Sequence, residues 1–185
     1  SLRQGVKVSR LIAERFPATF ELALVAAVMA LLLGIPMGVY TALHRHSAWS
    51  QWLMTLSLLG VSLPTFLIGI LLIMIFSVHL GWFPSFGRSG VVSVGWWSSS
   101  LLSAQGWHHI ALPACTLAIF QLTLIMRLVR AEMLEVLRTD YIKFARARGL
   151  SDRVIHFGHA LKNTLVPVMT ITGLQLGGLI AFAII

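Results

Sequence analysis

The chain has 185 residues, 57% of them hydrophobic and only 11% charged, with a mean hydropathy of +0.87. A soluble domain carries roughly 25% charged residues, so this composition cannot cover a water-facing surface and places the chain among membrane proteins. The net charge of +8 comes from fourteen Lys and Arg against six Asp and Glu; these residues flank apolar runs without any recognition motif, which argues for basic membrane-side loops and against nucleic acid.

The single cysteine, Cys115, lies in an apolar stretch. One thiol rules out an internal disulfide framework or a cysteine-based zinc site, and it reads as a small buried hydrophobe. The chain starts at Ser1 and stops at Ile185 inside an apolar run, as a fragment of a longer protein would.

Taken in order, the stretch Ser1 to Glu21 carries Arg3, Lys7, Arg10 and Arg15. The first uncharged run, Leu22 to Leu43, follows and is interrupted by Gly34, Pro36 and Gly38. A short connector, His44 to Gln51, holds Arg45. The second run lies between Trp52 and Val78, with Pro64 in its middle. The outer loop, residues 79–109, has one charge, Arg88, and is rich in glycine and aromatics. It is too long for a simple connector and suggests a cap lying on the membrane surface. The third run is Ile110 to Met126, extended by Leu128 and Val129, and the fourth is Thr164 to Ile185.

A helix needs roughly 17–25 apolar residues to cross the hydrocarbon core, so these runs predict four helical spans at about 20–43, 52–78, 110–129 and 160–185. Backbone groups in lipid must be bonded internally, which favours helices over open structure. The tryptophans Trp49, Trp52, Trp82, Trp96, Trp97 and Trp107 all lie at run ends or in the outer loop, as rings that prefer the headgroup level do. Parity puts His44–Gln51 and Arg127–Asn163 on one side with nine Lys and Arg, against five on the other. The positive-inside rule makes the nine-charge side cytoplasmic.

No Gly-rich phosphate loop is present, so ATP is not bound in that way. No charged residue lies mid-span, which argues against proton- or ion-coupled carriers and intramembrane enzymes. Of the seven histidines only His156 and His159 could share a helix face, and two histidines without a third ligand make no convincing metal site. Pro64 within SLPTF predicts a kinked helix. Gly34 with Gly38, and Gly173 with Gly177, are spaced for close helix approach. Ser62, Pro64, Thr65, Gln121, Thr172 and Gln175 are the candidates for the wall of a pathway suited to a polar solute without fixed charge.

Between Arg130 and Arg148 there is no Gly or Pro, and Leu134, Leu137, Tyr141 and Ala145 form one apolar stripe. This predicts a single helix, closed by Gly149 as a C-cap, with Ser151 and Asp152 capping the next helix near Arg153. Two readings of this basic corner stay open: a surface helix resting on anionic lipid, and a docking element for a soluble partner.

The stretch RLVRAEMLEVLRTDYIKFARARGLSDRVIHFGHALKNTLVPVMTITGLQLGGLI resembles the cytoplasmic loop and following helix of ABC-importer permeases of the dipeptide/oligopeptide type. RLIAERFPATFELALVAAVMALLLGIPMGVYTAL, GVSLPTFLIGILLI and LGWFPSFG resemble other stretches of that family. Its wider motif reads Glu-Ala-Ala, three residues, Gly, nine residues, Ile-x-Leu-Pro. Ala145, Gly149 and Leu161 match it; Lys143 stands for Glu, Phe144 for Ala, and the proline comes later, at Pro167.

The resemblance implies an all-α, polytopic type I ABC importer permease core (MetI-like), a single transmembrane domain over residues 1–185 with a cytoplasmic coupling loop at 130–159. It puts Asp140, Tyr141, Ile142, Phe144, Ala145, Arg146, Ala147, Arg148, Gly149, Leu150 and Ser151 in the coupling element that seats in a cleft of an ATPase subunit. It implies no cofactor on this chain, with ATP and Mg on two partner ATPase subunits, and as further partners a sister permease chain and an extracytoplasmic solute-binding protein. The setting is the cytoplasmic membrane of a bacterium or archaeon, with Ser1–Glu21 outside and further spans beyond both ends. The expected activity is transport of di- or oligopeptides or similar small solutes, without catalysis on this chain. A self-contained channel or secondary carrier, and a non-transporting membrane scaffold, are the alternative readings.

Overall fold

A computed structural model describes residues 8–95 and 97–184, with side chains described from Arg15 to Gly178 apart from Val94 and Trp96. The N-terminal charges Arg3, Lys7 and Arg10, and Trp96, lie outside the described residues or side chains. The chain forms α1 (Val8–Leu43), α2 (Ala48–Ser62), α3 (Thr65–Leu72) with a π-helical extension (Ile73–His79), a hairpin of β1 (Val92–Val94) and β2 (Trp97–Ser99), α4 (Ala104–Val136), α5 (Asp140–Ala147), and a second π-helical segment (Val154–Ala160) continuing into α6 (Leu161–Ile184).

Among the described residues two helices are long and apolar enough to cross a membrane, Arg15–Leu43 and Ala104–Val136. A bent pair, Ala48–Ser62 with Thr65–His79, makes a third if it is one span. Both long helices outrun the apolar stretches expected of them. α4 begins earlier because Ser103 caps it: the Gly106 amide donates to its hydroxyl at 3.0 Å and the Trp107 amide bonds to its carbonyl at 3.2 Å. The second run is not one kinked helix but two. The residue before a proline is driven out of the helical region, and Leu63 and Pro64 are both extended, with ψ of 132° and 137°. The Pro64 carbonyl then accepts from the Leu67 and Ile68 amides at 2.9 and 3.3 Å and starts α3.

The chain divides into two compact units. One comprises the residues up to Val28, Pro64–Ala118 and the residues from Gln175; the other comprises Met29–Leu63 and Ile119–Leu174. In the first, Ala23, Ala26 and Ala27 of α1 are buried, as are Ile68 of α3 and Ile110, Leu112, Ala114 and Ala118 of α4. The hairpin pairs Val92 with Ser99 and Val94 with Trp97, and Gly95 supplies the positive φ (64°) that a tight hairpin turn requires.

The second unit has a core of Ala30, Val39 and Ala42 from α1, Ile125, Val129 and Met133 from α4, Ile142 and Ala145 from α5, Ile155 and Ala160 from the π-helical segment, and Val168 from α6. Here Gly34 and Gly38 make the close approach their spacing suggests. A Cβ at Gly38 would stand 2.6 Å from Val129 Cβ and 2.8 Å from the Met126 carbonyl. Gly173 and Gly177 differ: among the described residues, a Cβ on either would meet nothing within 4 Å. Outward, Leu32, Leu33, Leu58, Leu59, Val166 and Leu174 are all exposed. So much exposed aliphatic surface suits a bilayer or protein neighbours rather than water.

Candidate functional site

The basic corner is built by three turns of backbone. α4 stops at Val136 because Thr139 takes an extended conformation (ψ 152°). The Arg138 and Thr139 amides close short turns on Glu135 and Val136, at 3.0 and 3.1 Å. The Thr139 carbonyl then accepts from Ile142 and Lys143, both at 3.2 Å, and Asp140 supplies a negative charge at the new N-terminus. The single helix expected from Arg130 to Arg148 is therefore two helices. Thr139 followed by Asp140 is the sequence signal for the restart.

α5 ends in a Schellman turn. The Leu150 amide reaches back to the Ala145 carbonyl at 3.3 Å and the Gly149 amide to Arg146 at 2.9 Å, with Gly149 at φ +78°. The Ser151 main-chain carbonyl then accepts from the Ile155 amide at 3.0 Å and opens the next helix.

The restart at Asp140 shifts the helical phase, so one member of the expected apolar stripe changes: Ile142 takes the place of Tyr141. Ile142 (0% exposed) and Ala145 (6%) face the core beside Ile155 and Ala160, with Leu134 and Leu137 partly buried. Tyr141 is on the surface, its ring edge-on to His159 with centroids 5.7 Å apart. Of the expected coupling residues, Asp140, Tyr141, Phe144, Arg146, Ala147, Arg148, Gly149, Leu150 and Ser151 are exposed; Ile142 and Ala145 are not.

The exposed face carries Phe144 at 65% exposure, with the Arg148 guanidinium 5.8 Å from its ring centroid. Leu150, Val154 and Phe157 continue the apolar surface. The Lys143–Asp140 pair (2.8 Å) lies in open solvent, where such pairs contribute little. An aromatic and aliphatic surface bordered by arginines, standing on a packed base, has the composition of a protein contact.

A second polar anchor was not foreseen. Arg130 of α4 donates through Nη1 to the Thr41 carbonyl at 2.9 Å and to Ser50 Oγ at 3.2 Å, and the Ser50 hydroxyl donates to the same carbonyl at 3.2 Å. The guanidinium thus binds the C-terminal end of α1, where the helix dipole favours a cation, and ties it to the start of α2. In the sequence Arg130 counted only towards topology; nothing in its spacing marks its partners.

The pathway candidates divide between the units. Ser62, Gln121 and Thr172 belong to one, and Pro64, Thr65 and Gln175 to the other. Ser62, Pro64 and Thr65 are exposed around the helix break. Gln121 is buried and, among the described residues, its side-chain carbonyl finds no hydrogen-bond partner, as is true of Gln175 Oε1. The Thr172 hydroxyl is committed to the Val168 carbonyl at 2.8 Å.

Long apolar helices and a broken helical pair define a helical integral-membrane component, which also carries an exposed aromatic corner on a packed base. The chain belongs to the family of binding-protein-dependent transport system inner membrane components, which matches residues 34–185. It is 44% identical over 182 residues to the di/tripeptide transport system permease protein DppB of Pseudomonas aeruginosa, covering 92% of this chain and 54% of that one. It is 38% identical to the oligopeptide transport system permease protein AppB of Bacillus subtilis, covering 100% and 56%. To the dipeptide transport system permease protein DppB of Escherichia coli it is 36% identical, covering 100% and 59%. The chain therefore spans a little over half the length of these relatives.

Proposed function

We propose that this chain is part of the permease subunit of an ATP-driven ABC importer, carrying di- or oligopeptides or similar small solutes across the cytoplasmic membrane of a bacterium or archaeon. The observation that carries the reading is the corner at α5: exposed Phe144, Arg148 and Leu150 on a helix anchored by buried Ile142 and Ala145. Lipid attraction accounts for the arginines but not for an upright aromatic on a Schellman-capped turn. The names of the relatives, all peptide transport permeases, support the solute class.

In this reading the Tyr141–Ser151 surface seats in a cleft of an ATPase subunit. Two such subunits carry ATP and Mg, a sister permease chain completes the pathway, and a solute-binding protein delivers cargo from outside. The broken pair α2–α3 is one span and α6 another, making four, with residues 79–109 outside and 130–159 in the cytoplasm. Of the pathway candidates, Ser62, Pro64 and Thr65 are the ones exposed around the helix break, and these contribute polar groups to the pathway wall.

The test is uptake by the full-length protein co-expressed with its genomic neighbours. Loss of labelled dipeptide uptake when the ATPase subunits are catalytically inactive, with those subunits co-purifying, is the expected result. Uptake that persists without ATP hydrolysis overturns the reading in favour of a channel or secondary carrier. Assembly without uptake of any solute would instead identify a scaffold.

A further inference from the structure

Outside the α5 corner, the most deliberately built polar feature is a buried carboxylate at the opposite end of α1's apolar run. Glu21 is 3% exposed. It accepts from the Ser100 amide at 2.9 Å, from Trp97 Nε1 at 3.2 Å and from Arg88 Nη2 at 3.4 Å. All three donors belong to the segment between α3 and α4. Arg88 holds that same segment through Nε to Ser100 Oγ (2.7 Å), Nη1 to Ser98 Oγ (3.1 Å) and Nη2 to the Ser98 carbonyl (2.6 Å). Phe16 and Phe20 of α1 meet the Trp97 ring edge-on, at 6.1 and 5.8 Å. The one acidic residue at the mouth of the first apolar run thus finds the only formal charge of the 79–109 loop.

A carboxylate buried at an apolar mouth is tolerated only while its donors are in place, because an unpaired buried charge is strongly disfavoured. Lifting the hairpin would strand Glu21, so the seat is all-or-none rather than graded. The wall of a neighbouring cleft of about 350 Å³ depends on it as well: Pro84, Phe86 and Gly87, directly before Arg88, line that cleft with Leu22, Ile73 and Thr116.

We propose that Glu21 and Arg88 are positioning residues that make the hairpin segment and this end of α1 one rigid body, so that the hairpin meets an arriving solute-binding protein in a single pose and moves with α1. The inference rests on the permease reading above. A preset surface binds more tightly than one that must be ordered on contact, so loss of the seat weakens the encounter without touching the ATPase corner.

The experiment uses the full-length permease in its complete transporter, in nanodiscs, titrated with purified solute-binding protein loaded with a dipeptide. E21Q keeps the shape but removes the charge and turns an amide donor towards the Trp97 or Arg88 donors. The half-saturating concentration of loaded binding protein for ATPase stimulation should rise about tenfold, with basal ATPase within twofold of the parent. An unchanged half-saturation, or basal and stimulated rates falling together, overturns the proposal; the latter would make Glu21 merely structural. A second measurement reads the seat directly. With Cys115→Ser, spin labels at Leu24→Cys and Ser93→Cys, both exposed positions, should give one narrow distance in the parent and a broad distribution in E21Q. An equally narrow distribution in E21Q overturns the proposal. If no loaded binding protein stimulates the parent, the permease reading has failed, and the spin labels alone decide whether Glu21 seats the hairpin.

Discussion

Phe144 and Ile142 sit two residues apart on α5 and separate docking from folding. Phe144 is 65% exposed and Ile142 fully buried. Full burial of a phenylalanine side chain is worth about 1.5–3 kcal/mol. Roughly two-thirds of Phe144 is still open to a partner, so its truncation should cost about 1–2 kcal/mol of docking energy, or roughly five- to thirty-fold in affinity for the ATPase subunit. Because little of it is buried in the free chain, Phe144→Ala should leave stability within about 0.5 kcal/mol. Ile142→Ala empties a site enclosed by the α4, α5 and π-helical core and should cost about 2–5 kcal/mol of folding. The assay pairs thermal unfolding of purified full-length permease with a binding titration against the isolated ATPase subunit. Phe144→Ala should lose binding with an unchanged midpoint, and Ile142→Ala should lower the midpoint. A Phe144→Ala protein that binds normally, or that unfolds as early as Ile142→Ala, refutes the assignment of the outward face.

Ala145→Glu would place an unpaired carboxylate among Ile142, Ile155 and Ala160; it should fail to accumulate as folded protein, read by size-exclusion chromatography, rather than fold and uncouple. Gly149→Ala meets no steric obstacle but forces a side chain into the left-handed region at φ +78°, at about 1–2 kcal/mol; a small drop in melting temperature together with weakened ATPase binding is expected. Gly38→Ala drives a methyl group against Val129 and the Met126 carbonyl and should cost about 1–3 kcal/mol, whereas Gly177→Ala should be neutral in the isolated permease by the same thermal assay.

The apolar runs were legible because composition alone marks the apolar stretch of each long helix, though not where the helix begins and ends. The corner was legible in part: Gly149 and Ser151 act through local backbone geometry, and local geometry is what spacing encodes. The phase of α5 was not. The Leu134–Leu137–Tyr141–Ala145 stripe assumes an unbroken helix, and one extended residue at Thr139 resets the phase, exchanging Tyr141 for Ile142 at the core while Ala145 stays there. Pro64 was recognised as a disturbance, but whether a helix bends or stops there depends on Leu63 as well. Arg130 and Glu21 were out of reach for a different reason. Their partners lie 80 or 89 residues away for Arg130 and 67 to 79 for Glu21, and no periodicity links residues across such separations.

The placement of Arg130 bears on how a push at α5 would travel. Ile142 and Ala145 share a close-packed core with Met133, Ile155 and Ala160, and the Thr164 hydroxyl lies 3.7 Å from Met133 Sδ. One turn before Met133 along α4, Arg130 grips the last turn of α1 and the first of α2. Gly38, which admits Val129 at close range, leaves α1 no room to slide past α4. Close-packed interiors deform little and transmit displacement. A load on the exposed face of α5 is therefore delivered not only to the helix that follows it in sequence but also to the linked ends of α1, α2 and α4. On that basis Arg130→Met, which removes the tie while keeping the apolar stem, should preserve ATPase binding and depress the uptake obtained per ATP hydrolysed; uptake and hydrolysis that remain in their parental ratio would show that the load passes through α6 alone.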